Sequence, residues 1–400
     1  MDKTVCELFA GVGGFRLGLE QANKDWKTVW FSQWEPGRSV QWAHDCYVSH
    51  WGDIDDNTGK DIGIVDKKLI PDHNLLVGGF PCQDYSVART LKGSSGLQGK
   101  KGVLWWQIRD IIQEKKAPFI LLENVDRLLK SPASQRGRDF GVILACLASL
   151  NYSVEWRVVN AADYGAGQRR RRTFIFAYRN NTTYGKHINR YKPLNVVNKN
   201  GFFATTFPIT PLKTLKEGTI DFSDIPEISD SFNFLFKKGG FMCRGKIYTA
   251  DIEPIQEEPI PLRNLLEHHV DEKFYLGKNL DKWNYLKGSK QIARVAQNGH
   301  KYIYSEGPVG FPDSIDKPAR TMLTSESSVN RSTHVIEDPE TKRLRLITPL
   351  EAERIQGFKD NWTDTGMPFK FRYFCMGNAL VVPMITRMGK TLNTIFEAEK

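Results

Sequence analysis

The 400-residue chain has no Cys-x-x-Cys pair; its six cysteines, at 6, 46, 82, 146, 243 and 375, are widely scattered. That arrangement disfavours a disulfide framework and a zinc site, and it fits a reducing compartment. No metal is therefore expected. The N-terminal stretch from Met1 to Glu7 lacks the apolar region of a secretory signal, and no run reaches membrane-spanning length. A soluble, cytoplasmic protein without a membrane partner is expected. A third glycine is also missing from the turn after the first apolar run. Gly11 and Gly13 fit a dinucleotide fingerprint, but Arg16 stands where its last glycine belongs. With no nicotinamide-side motif either, a dinucleotide-dependent oxidoreductase is disfavoured. No helix-turn-helix or finger pattern occurs, which argues against a simple DNA-binding regulator. Acidic residues are outnumbered 46 to 56, and the net charge of +10 favours a polyanionic partner.

What is present is a core-forming chain, 40% apolar with 10 tryptophans and 23 phenylalanines, of a length that suits two domains. The run Asn74–Phe80 has strand length and is stopped by Gly78-Gly79 and then Pro81. Cys82 follows on a rigid turn at the carboxyl end of that strand, the edge where open α/β sheets bind ligands. A thiolate there could attack an electrophilic carbon. A second apolar run, Phe119–Leu122, leads directly into Glu123, a carboxylate that is costly to bury without a partner or a task. Before both, Thr4–Phe9 reads as a strand entering the glycine turn and a helix through Leu17, Leu19 and Ala22. Thr28–Ser32 is a second strand ending near Glu35-Pro36, where an acidic side chain can accept hydrogen bonds from both ribose hydroxyls. Residues 89–102 read as a basic, Gly/Ser-rich loop, followed by a helix with Leu104, Ile108, Ile111 and Ile112 on one face. A further helix over 140–150 and strands at 154–159 and 173–178 flank a loop with four consecutive arginines, 169–172, suited to a basic surface or a phosphate contact. The α/β alternation stops near Asn180, and turn residues, aromatics and scattered Lys/Arg continue to about Glu340. Candidates there for base or phosphate contact are Lys237, Lys238, Arg244, Lys246, Arg294, Arg320, Arg331 and His334. Thr348-Pro349 then caps and opens a helix.

In this order the motifs resemble those of the DNA cytosine-5 methyltransferases, over about residues 4–180 and 343–390. Pro81-Cys82-Gln83 and Glu123-Asn124-Val125 match the family's two catalytic motifs, and Phe9-x-Gly11-x-Gly13-Gly14 its S-adenosylmethionine turn. Gln168-x-Arg170-x-Arg172, the helix after Thr348 and Gly377-Asn378 complete the set. Tyr85 stands where Phe is commoner, and Lys101 where Arg is usual. The resemblance implies a Rossmann-like α/β methyltransferase sheet with an inserted, mostly β target-recognition domain. The expected boundaries are 1–180 for the first catalytic part, 181–342 for the recognition domain and 343–400 for completion of the catalytic domain. It implies Cys82 as nucleophile, Glu123 as its acid partner, and Arg170 and Arg172 holding the base and orienting Glu123. S-adenosylmethionine, leaving as S-adenosylhomocysteine, would be held by Phe9, Gly11, Val12, Gly13, Gly14, Glu35, Pro36, Asp53, Ile54, Pro81, Leu104 and Asn378. Double-stranded DNA would meet Gln83, Ser86, Gln168, Arg320 and Thr321. A monomeric bacterial modification enzyme is expected, with a restriction endonuclease acting separately. An RNA cytosine-5 methyltransferase on the same scaffold is the alternative, since recognition of RNA would rest on 2′-hydroxyl contacts.

Overall fold

A computed structural model describes residues 1–80, 104–223, 225, 231–277, 280–296 and 299–399. Pro81, Cys82, Gln83, Ser86 and the 89–102 loop lie outside the described residues.

Nine strands form one sheet in the order β2-β1-β3-β4-β6-β5-β8-β9-β7. β1 (Thr4–Leu8), β2 (Lys27–Ser32), β3 (Leu75–Gly79) and β4 (Phe119–Val125) run parallel. β5 (Tyr152–Asn160) and β6 (Arg171–Arg179) continue antiparallel. The inner strands are apolar on both sides, as a sheet covered on both faces requires. Leu75, Val77, Phe119 and Leu121 point into one core, and Leu76, Ile120 and Leu122 into the other. α1 (Gly14–Ala22) and the final helix Val382–Ala398 cover the first face; α3 (Leu104–Lys115) and α4 (Arg138–Ser149) cover the second. The α1 contact is close because Gly18 has no side chain: a Cβ there would lie 2.6 Å from Ile385. The last helix thus packs on the first, and the sheet's fourth layer element is supplied by the chain's end.

The sheet continues past residue 181, where the recognition domain is expected to begin. β7 (Lys216–Thr219), β8 (Gly239–Cys243) and β9 (Lys246–Ala250) extend it beyond β5, with β8 pairing antiparallel to β5. Gly240 makes that pairing possible, since a Cβ there would strike the Trp156 ring at 2.2 Å. Outside that sheet lies the two-stranded ribbon β10 (Lys290–Val295) and β11 (Lys301–Glu306). β12 (Val335–Glu337) pairs with β13 (Leu344–Leu346) where the chain returns. There the buried Arg345 donates to Glu351 (2.8 Å) and Asp338 (2.6 Å). Glu351 also closes a reciprocal cap with Thr348 on the helix Pro349–Gln356. The helix after Thr348 is therefore a structural joint. Gly377 and Asn378 end the helix Phe369–Asn378, and the next begins at Val382.

One buried carboxyl sets a pH dependence. Glu7 on β1 is wholly buried, accepts a hydrogen bond from Tyr47 Oη at 3.0 Å, and burial pushes its pKa from 4.5 to about 7. The folded state holds the proton more tightly, so the stability this group contributes is full below about 4.5 and is lost as pH rises through about 7. Glu7→Gln is expected to flatten the dependence of Tm on pH between those values, which a calorimetric series across pH 4.5–7.5 checks.

Candidate active site

The carboxyl ends of the four parallel strands converge on one cavity of about 880 Å³. β1 delivers Phe9, Gly11, Val12 and Gly14; β2 delivers Glu35 and Pro36; β3 delivers Gly79 and Phe80; β4 delivers Glu123 and Val125. Leu104 and Gln107 close one side, and Gly377, Asn378 and Leu380 another. Of the twelve residues expected to hold a cofactor, Phe9, Gly11, Val12, Gly14, Glu35, Pro36, Leu104 and Asn378 line this cavity. Gly13 does not. It turns with φ +86°, and a Cβ there would sit 2.2 Å from the Trp51 ring, so its glycine serves the packing beneath the turn. Gly11 donates its N–H to Gln33 Oε1 at 2.7 Å, fixing the turn against the end of β2.

The structure does not bring Asp53 and Ile54 to the cavity. Both are exposed and neither lines it; Asp53 accepts from Thr58 Oγ1 at 2.6 Å. The second Asp-Ile pair, Asp61-Ile62, lines it, with Ile62 buried. Asp61 is steadied by the Gly63 N–H at 2.8 Å. Asp-Ile occurs twice within ten residues, and the pair preceded by a glycine is not the one at the cavity.

Glu35 sits at the end of β2 on a loop clamped by Gln41, which accepts from Glu35 N–H at 2.6 Å and donates to the carbonyls of Glu35 and Arg38, both at 3.0 Å. Among the described residues its buried Oε2 has no hydrogen-bond partner, and burial raises its pKa, opposed by nearby Arg38. A buried acceptor left unpaired costs about 1–3 kcal/mol, which a donor entering the cavity would relieve.

Opposite it, Glu123 Oε1 pairs with Arg172 Nε at 2.6 Å. The β4–β6 register sets Arg172 beside Val125, two residues past Glu123, so the strands themselves aim the ion pair. Gly79 leaves room, since a Cβ there would come within 3.2 Å of Glu123 Oε2. Asn124, buried, donates to the Phe80 carbonyl at 2.8 Å and accepts from Val125 N–H at 2.8 Å, tying the end of β4 to the end of β3. That role was not read from the sequence, although an amide directly after the acid was the available hint.

Arg170 also faces the cavity but is committed elsewhere: it donates to the carbonyls of Met322 and Gly377, both at 3.0 Å. Burial and the neighbouring Arg172 work against its charge. The guanidinium nonetheless stays protonated, as arginine does in proteins. Arg172, not Arg170, reaches Glu123. Gln168, expected at DNA, is fully buried and its Oε1 accepts from Met322 N–H at 3.3 Å. Arg320 is held by Asp313 (Nη2 to Oδ2, 3.0 Å) and by the carbonyls of Ser332 and Thr333. Thr321 Oγ1 donates to Arg169 O at 2.6 Å. These three therefore form the joint that carries residues 319–322 on the arginine loop. Among the described residues no group of three or more His, Cys, Asp or Glu could hold a metal.

The decisive comparison is with family models: that of the C-5 cytosine-specific DNA methylases matches residues 3–394. The chain belongs to the C-5 cytosine-specific DNA methylase family. Type II methyltransferase M.Sau3AI of Staphylococcus aureus is 51% identical over 397 residues, covering 98% of this chain and 95% of that protein. Type II methyltransferase M.SsoII of Shigella sonnei is 31% identical, covering 96% and 79%. Among solved structures, Entamoeba histolytica methyltransferase EhMeth covers 99% of this chain and 98% of its own at TM-score 0.59 and 18% identity. A Spodoptera frugiperda DNMT2 variant covers 98% and 99% at 0.60 and 15%. These two share the fold. This C-5 cytosine methylase is thus a DNA cytosine-5 methyltransferase on a Rossmann-like α/β sheet, and the RNA alternative is not favoured. Among the described residues no helix is long and apolar enough to cross a membrane.

Proposed function

We propose that the enzyme transfers a methyl group from S-adenosylmethionine to C5 of a cytosine turned out of duplex DNA within a short sequence. The observation that carries this is the single cavity holding the Arg172-paired Glu123 on one side and the unpartnered Glu35 oxygen on the other.

The volume suits a ligand of this size. Glu35 would accept from the ribose hydroxyls, Asp61 would accept from the adenine amino group, and Phe9 and Ile62 would sandwich the ring. When bound, the donor supplies an electrophilic methyl on a sulfonium. The chain does the rest. Cys82, two residues beyond Phe80, adds as thiolate to cytosine C6, while Glu123 holds or delivers a proton at N3, so that electron density gathers at C5. Arg172 keeps Glu123 turned towards the base. After transfer the C5 proton is lost and Cys82 is expelled, restoring the ring. A stacked base cannot be reached, so extrusion costs a few kcal/mol. Gln83 and Ser86 would contact the opened strand. Residues 181–342 would hold the recognition module. The type II relatives support a bacterial modification enzyme. A cytoplasmic monomer acting beside a separate endonuclease completes the proposal.

The test is transfer from labelled S-adenosylmethionine to mixed-sequence duplex DNA with base-resolution mapping. 5-Methylcytosine confined to one short motif is expected; transfer to RNA alone would overturn the substrate. Cys82→Ala should abolish both transfer and trapping by 5-fluorocytosine DNA. The two Asp-Ile pairs separate cleanly: Asp61→Ala is expected to raise KM for the donor about tenfold, the loss of one good hydrogen bond. Asp53→Ala should leave that KM within about twofold, and initial-rate kinetics decide.

A further inference from the structure

The ribbon β10–β11 has one face with nothing on it. Strand alternation puts Gln291, Ala293 and Val295 on the same side as their partners Ser305, Ile303 and Lys301, and all six are exposed. Val295 is 64% exposed and Ile303 67%. On the other side Lys290, Ile292, Tyr304 and Glu306 are half-buried, so the ribbon is one-sided, with its apolar residues on the wet face as well as the dry one. A solvated face is normally polar, and half of this one is apolar.

Charge selects the occupant. The twelve strand residues carry Lys290, Arg294 and Lys301 against a single acid, Glu306, which Arg331 faces at 3.7 Å and Tyr304 Oη donates to at 2.7 Å. Arg294 is exposed on the opposite side, where its guanidinium lies over the Tyr304 ring at 4.0 Å. The exposed face itself carries Lys301 and no acid, and its amide, hydroxyl, ammonium and small apolar groups match a polyanion whose base edges offer donors, acceptors and methyls. The dimensions agree: two strands about 4.8 Å apart fit a major groove about 12 Å wide. Four of the other basic candidates are otherwise occupied. Arg320 and Arg331 are bonded within the fold, His334 is buried against Glu326, and Lys237 pairs with Asp251.

The ribbon is also rigidly tied to the catalytic cavity. Arg331 donates to the carbonyls of Leu286 and Gly288 (3.1 Å each) at the ribbon's base. Lys287 Nζ bonds the Thr333 carbonyl, and Arg320 bonds both Ser332 and Thr333. Arg320 in turn stands next to Ala319, whose carbonyl accepts from Arg169 N–H at 2.8 Å, one residue from the cavity arginine.

We propose that the exposed face of β10–β11 enters the major groove and reads bases of the target sequence, with Gln291, Lys301 and Ile303 as specificity-determining residues. The inference rests on the duplex-DNA reading above. The test uses the full-length enzyme with Gln291→Ala, Lys301→Ala and Ile303→Ser, singly, on a duplex library in which every base around the methylated cytosine is varied. Each variant is expected to keep the wild-type Tm and KM for the donor. Each should lose about tenfold to a hundredfold in kcat/KM on the preferred sequence and relax preference at one or two base pairs. An unchanged sequence profile with unchanged kcat/KM overturns the assignment while leaving the methyltransferase reading intact. A wild-type enzyme that methylates no duplex overturns that reading instead. Light scattering covers the other occupant: a wild-type dimer that Ile303→Ser dissociates, with DNA kcat/KM unchanged, would make this face a subunit contact and sink the proposal.

Discussion

Glu123→Gln is expected to lower the rate of methyl transfer by about 10²- to 10⁴-fold, the usual contribution of a positioned proton donor. The substitution keeps the shape of the side chain and its place beside Gly79, so the cavity should still admit the donor. What it removes is the ability to supply a proton at N3 in the transition state. The loss should therefore fall on kcat, with KM for S-adenosylmethionine and Tm close to wild type. Single-turnover kinetics make the reading specific, because they separate the chemical step from donor and DNA binding. A kcat within about threefold of wild type would remove Glu123 from the chemistry. The Arg172 pair would then be a structural bridge at a strand end.

Arg170→Met is expected to cost stability on the order of 3 kcal/mol and to weaken DNA binding, for a reason different from that of its neighbour. Its two hydrogen bonds join Met322, in the segment leading to the ribbon, to Gly377, in the cavity wall. Charge-assisted bonds of this kind contribute roughly 1.5–3 kcal/mol each, and their loss strands two buried carbonyls. Arg170→Lys should not rescue it, because one ammonium cannot span both acceptors as a planar fork does. Denaturation melts and KM for DNA are the measurements. An undiminished Tm with a collapse confined to kcat would return Arg170 to the base-holding role that the sequence pattern suggested.

The contrast between these two arginines shows what a sequence can and cannot carry. Residues fixed by a strand end were legible, because an apolar run, a glycine and an acid have a meaning within a few positions. Glu123, Glu35 and the Phe9–Gly14 turn are of that kind. Gln168, Arg320 and Thr321 were not, since their partners lie up to about 150 residues away and a polar side chain in a loop reads the same whether it faces DNA or a buried carbonyl. Asp53 and Asp61 differ only in which one the chain folds over the cavity. Strands β7–β9 escaped for a related reason: Gly239-Gly240 looks like a turn until Trp156 is known to occupy the space above it.

The Met1 amino group donates to the carbonyls of Phe396 (3.3 Å) and Glu399 (3.0 Å), so the polypeptide closes into a ring. The cavity's Asn378 wall and the helix that packs on α1 are translated more than 350 residues after the glycine turn they complete. A nascent chain therefore carries Glu123 and its arginines long before the cavity can close, and the β10–β11 ribbon is made in between.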